Sequence, residues 1–191
     1  MDVALPTLII DGATFQPRNR MERSELEREL ERLHSDSWGW ALACCARDRE
    51  LAEDALQTAY LRVLSGDARF DGRSSVKAWV FGVIRLTSME ELRRRRVWGA
   101  RRAGAEAEMD VADPGPGAHA DVERSEQSAA LVDALACLSP RQREVLQLVF
   151  YHDMTIEDAA QVMKVSLGSA RTHYERGKKA LAQRLAREDE S

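Results

Sequence analysis

Hydrophobic side chains recur at helical spacing in two stretches of the chain, residues 22–98 and 128–187. The segment 49–64 shows the pattern most clearly, because its small and aliphatic residues return every three or four positions and form one arc of a helix. These positions are Ala52, Ala55, Leu56, Ala59 and Val63. No stretch shows a convincing alternation of apolar and polar residues between turn residues, the pattern of a half-buried strand. The pattern predicts an all-α protein with two small helical domains.

The opposite face of the segment 49–64 is polar except at one position. It carries Glu50, Asp54, Gln57 and Leu61. A leucine among carboxylates on an outward face indicates a surface that binds another protein. The alternative is an isolated exposed leucine, which is common on protein surfaces.

A turn and a further helix follow. The segment 70–75 contains the Asp71-Gly72 pair of a tight turn, and Ser74 or Ser75 can cap the helix after it. The spacing directs four apolar residues of that helix inward, Val76, Trp79, Val80 and Val83. The other side carries Lys77, Phe81, Arg85 and Ser88, before a run of four arginines at 93–96.

Aromatic and cationic side chains mixed on one face suit single-stranded DNA. Rings stack on unpaired bases, and cations follow the phosphates. The alternative is that Phe81 belongs to the core, because a helix in a small bundle can bury two faces.

The C-terminal stretch has the start signals of three helices. Ser139 precedes Pro140, which suits the first helical position, and Thr155 can cap a second helix together with Asp158. A third helix opens near Ser166. Two short helices, a tight turn and a longer basic helix form the helix-turn-helix pattern.

Helical projection separates two faces of the last helix. The buried stripe is predicted to contain Ala170, Tyr174, Gly177, Leu181 and Leu185. The opposite face carries Ser169, Thr172, Arg176 and Lys179, with Arg171 and His173 at its edges. Residues 164–187 contain seven bases and one acid, Glu175. Such a helix suits the major groove of DNA, where arginine reads guanine; the alternative is an ordinary solvated face.

The net charge of the chain is −4, and the acidic residues are distributed unevenly along it. Residues 103–127 are rich in Ala, Gly and Pro, and they hold a single base, Arg124, against seven acids, Glu106, Glu108, Asp110, Asp113, Asp121, Glu123 and Glu126. This composition is typical of a flexible linker. The predicted organisation is an extension at 1–21, a domain at 22–98, a linker at 99–127, a domain at 128–187 and a tail at 188–191.

The remaining residues argue against several other classes of protein. Residues 4–10 are apolar but short and interrupted by Pro6, so we expect no signal peptide, no membrane insertion and a cytoplasmic protein. The cysteines, Cys44, Cys45 and Cys137, lack C-x-x-C spacing, which favours reduced, buried thiols. The four histidines show no metal-ligand spacing with them, and no phosphate-binding glycine loop or nucleophile motif occurs. We therefore expect no metal, no cofactor and no enzyme activity.

Taken together, these features resemble the extracytoplasmic function (ECF) sigma factors, the group 4 sigma factors that direct bacterial RNA polymerase to promoters. The N-terminal resemblance rests on AEDALQTAYLRVL, RFDGRSSVKAWVFGVIR and EELRRRR. The C-terminal resemblance rests on LSPRQREVLQLVFYHDMTIEDAAQVMKVSLGSARTHYERGKKAL. The family usually has glycine where this chain has Lys164, so we expect a strained backbone at that lysine.

The resemblance implies roles for three sets of residues. Docking on the clamp helices of core RNA polymerase is implied for Glu53, Asp54, Gln57 and Leu61. Contacts with the −10 element are implied for Phe70, Arg73, Ser74, Lys77, Phe81, Arg85 and Ser88. Contacts with the −35 element are implied for Ser169, Arg171, Thr172, His173, Arg176 and Lys179. The implied partners are core polymerase, through its clamp helices and flap, promoter DNA and an anti-sigma factor.

Two other interpretations remain open from the residues alone. A helix-turn-helix regulator would bind duplex DNA without polymerase and would use its N-terminal domain as a sensor or for oligomerisation. A helical enzyme has little support from the residues, and a metal or nucleotide bound tightly to the purified protein would favour it.

Overall fold

The structure is a computed structural model that describes residues 21–103, 135 and 137–188, and every regular element among these residues is a helix. The first domain contains α1 (Arg23–Arg32), α2 (His34–Cys44), α3 (Arg49–Ser65) and α4 (Val76–Ala103). The second domain contains α5 (Pro140–Leu146), which continues into a π-helical turn (Gln147–Tyr151), followed by α6 (Ile156–Met163) and α7 (Leu167–Glu188). The predicted all-α, two-domain fold is confirmed.

Helix α3 begins and ends where its sequence predicts. The carboxylate of Asp48 accepts a hydrogen bond from the backbone N–H of Leu51 at 3.0 Å, and Gly66 ends the helix with a φ of 83°. All five residues of the predicted arc are buried. Three of them are alanines, which let α3 lie close to α2 and α4.

The helices of the second domain also begin at the predicted caps. The backbone N–H of Asp158 donates to Thr155 Oγ1 at 3.0 Å, and the backbone N–H of Ser169 donates to Ser166 Oγ at 3.1 Å. Lys164 ends α6 in the left-handed conformation, with φ 55° and ψ 48°, as its place in the turn predicted. That conformation costs a lysine free energy that glycine would not incur.

Gly177 lies where α7 packs against α5. A β-carbon at this position would come within 3.1 Å of Leu146 Cδ1 and 3.2 Å of Gln142 Cβ. The helices approach this closely because position 177 has no side chain. Ala170 and Gly177 are buried and Tyr174, Leu181 and Leu185 are half-buried, as the predicted stripe requires.

The predicted division of α4 into an inner and an outer face is wrong. Phe81, Arg85 and Ser88 are buried, whereas the predicted inner residues Val76 and Trp79 are only half-buried. The reason is that α4 is covered on more than one side, by α2 and α3 of its own domain and by α6 of the second domain. One continuous set of buried hydrophobic residues extends through both domains.

Other predictions are corrected in smaller ways or lie outside the described residues. Helix α4 extends to Ala103, so the first five residues of the predicted linker, 99–103, are helical. The rest of that linker and residues 1–20 are not among the described residues. Cys45 is buried and Cys44 is half-buried, but Cys137 is exposed. The prediction that all three thiols are buried is therefore wrong for Cys137. No helix that the structure describes combines the length and hydropathy needed to cross a lipid bilayer.

Candidate nucleic-acid interface

The outer face of α7 is exposed and basic. Ser169, Arg171, Thr172, Arg176 and Lys179 are exposed, and His173 is half-buried. Within residues 21–103 and 137–188, no carboxylate pairs with Arg171, Arg176 or Lys179. The cations of this face are therefore available to phosphates and base edges.

The rest of the second domain packs against the face of α7 that carries Ala170 and Tyr174. The ring of Tyr174 stacks on that of Phe150 with centroids 5.9 Å apart, and Ala170 is fully buried. The Thr172 hydroxyl donates to the backbone carbonyl of Gly168 at 2.9 Å, which fixes its side chain along the helix. The basic face is thus carried on a rigid element, as groove recognition requires.

The loop before α4 presents the second group of predicted DNA contacts. Arg73 is exposed, and its backbone N–H donates to Asp71 Oδ1 at 3.1 Å. Phe70 is half-buried, with its ring 5.3 Å from that of Trp79. Ser75 caps α4 by accepting from the backbone N–H of Ala78 at 3.1 Å, and Ser74 is half-buried. These loop residues remain accessible.

Three of the predicted contacts within α4, Lys77, Phe81 and Arg85, lie instead against the second domain. The Lys77 ammonium donates to Asp36 Oδ2 at 2.6 Å and to the backbone carbonyl of His152 at 2.9 Å. Phe81 is fully buried, stacked on Trp40 at 5.7 Å and meeting His152 edge-on at 4.9 Å. The structure therefore separates the predicted −10 residues into an accessible loop group and a covered helix group.

Arg85 forms a buried ion pair across the two domains. Its guanidinium pairs with Glu144 of α5, and Arg85 is only 7% exposed. Arg141 contacts the other carboxylate oxygen of Glu144 at 3.0 Å. Ser88, one turn further along α4, is also buried.

His152 lies at the centre of this contact between domains. It is 2% exposed, and its Nδ1 has no hydrogen-bond partner among the described residues. Burial lowers its pKa to about 4, an effect that Asp36 and Asp153 oppose and Lys77 reinforces. The imidazole is therefore neutral at pH 7 and packs as an aromatic ring. In the described part of the chain, no cluster of histidine, cysteine and carboxylate residues has the arrangement of a metal site.

The outer face of α3 is exposed at all four predicted docking residues, Glu53, Asp54, Gln57 and Leu61. Leu61 is 68% exposed, so an apolar side chain lies in solvent among the polar residues of this face. The structure adds Trp98, which is 63% exposed and lines a groove of 420 Å³ with Asp54 and Arg94. Trp98 was not among the predicted docking residues, although an aromatic residue two positions after the arginine run 93–96 was a visible signal.

Comparison with known proteins identifies the family. A family model described as Sigma-70 region 2 matches residues 30–97, and one described as Sigma-70, region 4 matches residues 128–181. The ECF RNA polymerase sigma factor SigX of Bacillus subtilis (strain 168) is 28% identical over 142 residues, 73% of each chain. The ECF RNA polymerase sigma factor SigF of Caulobacter vibrioides (strain NA1000 / CB15N) is 30% identical over 140 residues, 72% of each chain.

The chain belongs to the ECF family of RNA polymerase sigma factors.

This ECF sigma factor also shares its fold with a solved sigma factor. RpoE, in its co-crystal structure with the anti-sigma factor NepR from Bartonella quintana, superimposes with a TM-score of 0.63 at 22% sequence identity. The likeness covers 85% of this chain and 98% of that one. At this identity it shows the fold alone.

Family membership gives the protein its general role. An ECF sigma factor is a transcription initiation factor that directs RNA polymerase to promoters, and this chain is an alternative sigma factor of that kind. The region 2 match covers α2, α3 and most of α4, and the region 4 match covers α5, α6 and most of α7. The predicted family is confirmed, and the interpretation as a regulator acting without polymerase is not supported.

Proposed function

We propose that the two domains of this sigma factor divide promoter recognition between them. Residues 128–187 bind the −35 element, and residues 22–98 bind core polymerase and the −10 element. The observation that carries this proposal is the unpaired basic face of α7 on a helix-turn-helix scaffold. Arg171 and Arg176 contact guanine edges or phosphates, while Ser169, Thr172, His173 and Lys179 complete the contact surface.

The −10 element is bound by the loop before α4 and by α4 itself. Arg73 is exposed and Phe70 is half-buried, so a cation and an aromatic ring lie on the same loop, which suits an unpaired base and its phosphate. Ser74 lies between them and the helix. Further along, Lys77, Phe81, Arg85 and Ser88 extend the binding surface once the second domain has moved away from α4.

Core polymerase is bound through the outer face of α3. Leu61 supplies the apolar contact, and Glu53, Asp54 and Gln57 supply the polar rim that interfaces between proteins commonly show. The clamp helices are the proposed partner of this face, and the flap is the proposed partner of the second domain.

The remaining parts of the proposal concern regulation and chemistry. An anti-sigma factor is the expected regulator, and the cytoplasm is the expected site of action, because core polymerase and the chromosome are found there. The protein contributes binding energy rather than catalysis, and it requires no metal or cofactor for this role.

Transcription from a promoter library with purified core polymerase tests the proposal. With this protein present, we expect new transcripts that share two spaced upstream elements. Arg176→Ala should then reduce transcription from those promoters by about tenfold, because a base or phosphate contact contributes roughly 1–3 kcal/mol. Arg184→Ala is the matched control, since Arg184 is an exposed arginine two turns further along α7. An equal loss of core affinity in Arg176→Ala would contradict the −35 assignment.

A further inference from the structure

A groove lies between the first two turns of α3 and the C-terminal part of α4. Its volume is 420 Å³, and its lining includes Leu51, which is 6% exposed. Glu50 and Asp54 line the side that belongs to α3, and Trp98 lines the side that belongs to α4, together with two arginines of the run 93–96. The groove therefore offers an apolar surface with a charged rim.

Ion pairs hold the two sides of the groove in place. The Arg95 guanidinium contacts Asp48 Oδ2 at 2.5 Å, and Asp48 Oδ1 accepts the backbone N–H of Leu51 at the start of α3. Asp48 thus joins α4 to the first turn of α3. Arg94 pairs with Glu91, one turn earlier on α4. The groove is therefore formed in the free protein, which lowers the entropic cost of filling it.

Trp98 has the properties of an anchor residue in a protein interface. Of the four tryptophans, Trp98 alone is exposed, at 63%. No cation of residues 21–98 and 137–186 lies over its ring, since the two cation–π contacts there involve the rings of Phe81 and Tyr174. Tryptophan is enriched among the residues that contribute most to binding, because its indole ring buries a large apolar area.

The groove is continuous with the docking face proposed on α3. Asp54 belongs to both, and Leu61 lies further along the same side of the helix. Glu50 and Asp54 precede Leu61 by eleven and seven residues, so the groove and Leu61 are separated by roughly 10–17 Å along α3, at about 1.5 Å per residue. Side chains seven or eleven positions apart in a partner helix return to one face and span the same distance.

The charge of this face indicates which polar residues the partner helix carries. Glu50, Glu53 and Asp54 are exposed, and none of them forms an ion pair within residues 21–98 and 137–186. Opposite charge across an interface speeds encounter and fixes the register of the two surfaces. A helix with lysine or arginine between its two apolar residues therefore matches this face.

We infer that Trp98 is a second anchor for core polymerase, and that the docking face extends from α3 across the groove onto α4. The bound segment is a helix of polymerase that lies along α3, with one apolar side chain against Leu61, another in the groove beside Trp98, and basic residues between them. The inference rests on the proposed function for the identity of the partner. It adds a contact that α3 alone cannot supply, because the aromatic side of the groove belongs to α4.

A fluorescence titration of the full chain with core polymerase tests the second anchor. Trp98→Ala should weaken binding at least about tenfold, because it removes an aromatic anchor, whereas Trp98→Phe should retain most of the affinity. Val97→Ala is the matched control, because Val97 is an exposed apolar neighbour that does not line the groove. The melting temperature should match the wild type in all three variants, because both side chains are exposed.

Photo-crosslinking identifies what fills the groove. The probe is p-benzoyl-phenylalanine in place of Trp98, in the full chain assembled with core polymerase. We expect a cross-link to a helical segment of a polymerase subunit, and the same replacement at Val97 should give a weaker one. A cross-link only to a second copy of this chain would overturn the inference.

The outcomes distinguish the inference from the proposed function. If Leu61→Glu weakens polymerase binding and Trp98→Ala does not, the inference is overturned and α3 remains the docking face. If neither variant weakens binding, the proposed docking face is wrong and the inference is overturned with it. If only Trp98→Ala weakens binding, the contact at two points is overturned. Losses in both variants, with wild-type affinity for Val97→Ala and a cross-link from position 98 to polymerase, support the inference.

Discussion

The burial of His152 predicts that acid weakens the folded state. Its pKa is lowered from the ordinary 6.5 to about 4, chiefly by burial, and the imidazole meets the stacked rings of Trp40 and Phe81 edge-on. His152 binds a proton more readily in the unfolded chain than in the folded one. The contribution of the neutral imidazole to the free energy of unfolding is therefore fully present above pH 6.5. It is lost as pH falls toward 4.

The size of the effect follows from the same two pKa values. With about 1.36 kcal/mol for each pKa unit, His152 costs the folded state about 2 kcal/mol at pH 5 relative to pH 8, and about 3 kcal/mol at pH 4. The groups that face the imidazole are Asp36, Lys77 and Asp153. The measurement covers pH 5–8, where the protonation of His152 differs most between the unfolded and the folded chain.

The assay compares the wild type with His152→Phe by urea denaturation at several pH values in this range. Phenylalanine retains an aromatic ring against Trp40 and Phe81 but carries no titratable group. We expect the free energy of unfolding to fall by about 2 kcal/mol more for the wild type than for the variant between pH 8 and pH 5. Equal pH slopes for the two proteins would refute the reasoning, because the other titrating groups are common to both.

Two further predictions concern single positions. Leu61→Glu should weaken binding to core polymerase at least tenfold in a fluorescence titration. The melting temperature should not change, because Leu61 is 68% exposed. Unchanged affinity for core polymerase would contradict the proposal that α3 is the docking surface. Lys164→Gly should stabilise the protein by roughly 0.5–1 kcal/mol in thermal denaturation, because Lys164 has a φ of 55° and glycine adopts that conformation without the steric cost. Lys164→Ala should give no such gain, and an equal gain in both variants would contradict the backbone explanation.

Features that depend on neighbours along the chain were predictable. The caps at Ser75, Thr155 and Ser166 each involve atoms within one helical turn, so the residue types alone define the interaction. The left-handed conformation of Lys164 was expected from the family resemblance, because the family usually has glycine there. The buried arc of α3 and the exposed basic face of α7 follow from periodicity in the same way.

Features that depend on distant segments were not predictable from spacing. The spacing of α4 left open that Phe81 belongs to the core, and the structure confirms that alternative. It gave no sign that Arg85 is buried, because Arg85 is covered by Glu144, which is far away in the sequence. The spacing of apolar residues within one helix shows which of its faces are apolar, but it does not show which domain will cover them. The groove beside Trp98 was missed for the same reason, since its walls come from both α3 and α4.

The sequence by itself determined the helical class, the starts and ends of most helices, the family and the exposed basic face of α7. Each of these depends on local hydrogen bonds or on periodicity within one helix. Only the tertiary structure decided that the face of α4 that carries Phe81 and Arg85 is covered by the second domain. That contact is made by the Arg85–Glu144 ion pair and by the rings of Phe81 and His152, and the partners in each lie about sixty residues or more apart. Packing between such distant residues cannot be predicted from the spacing of apolar residues within either segment.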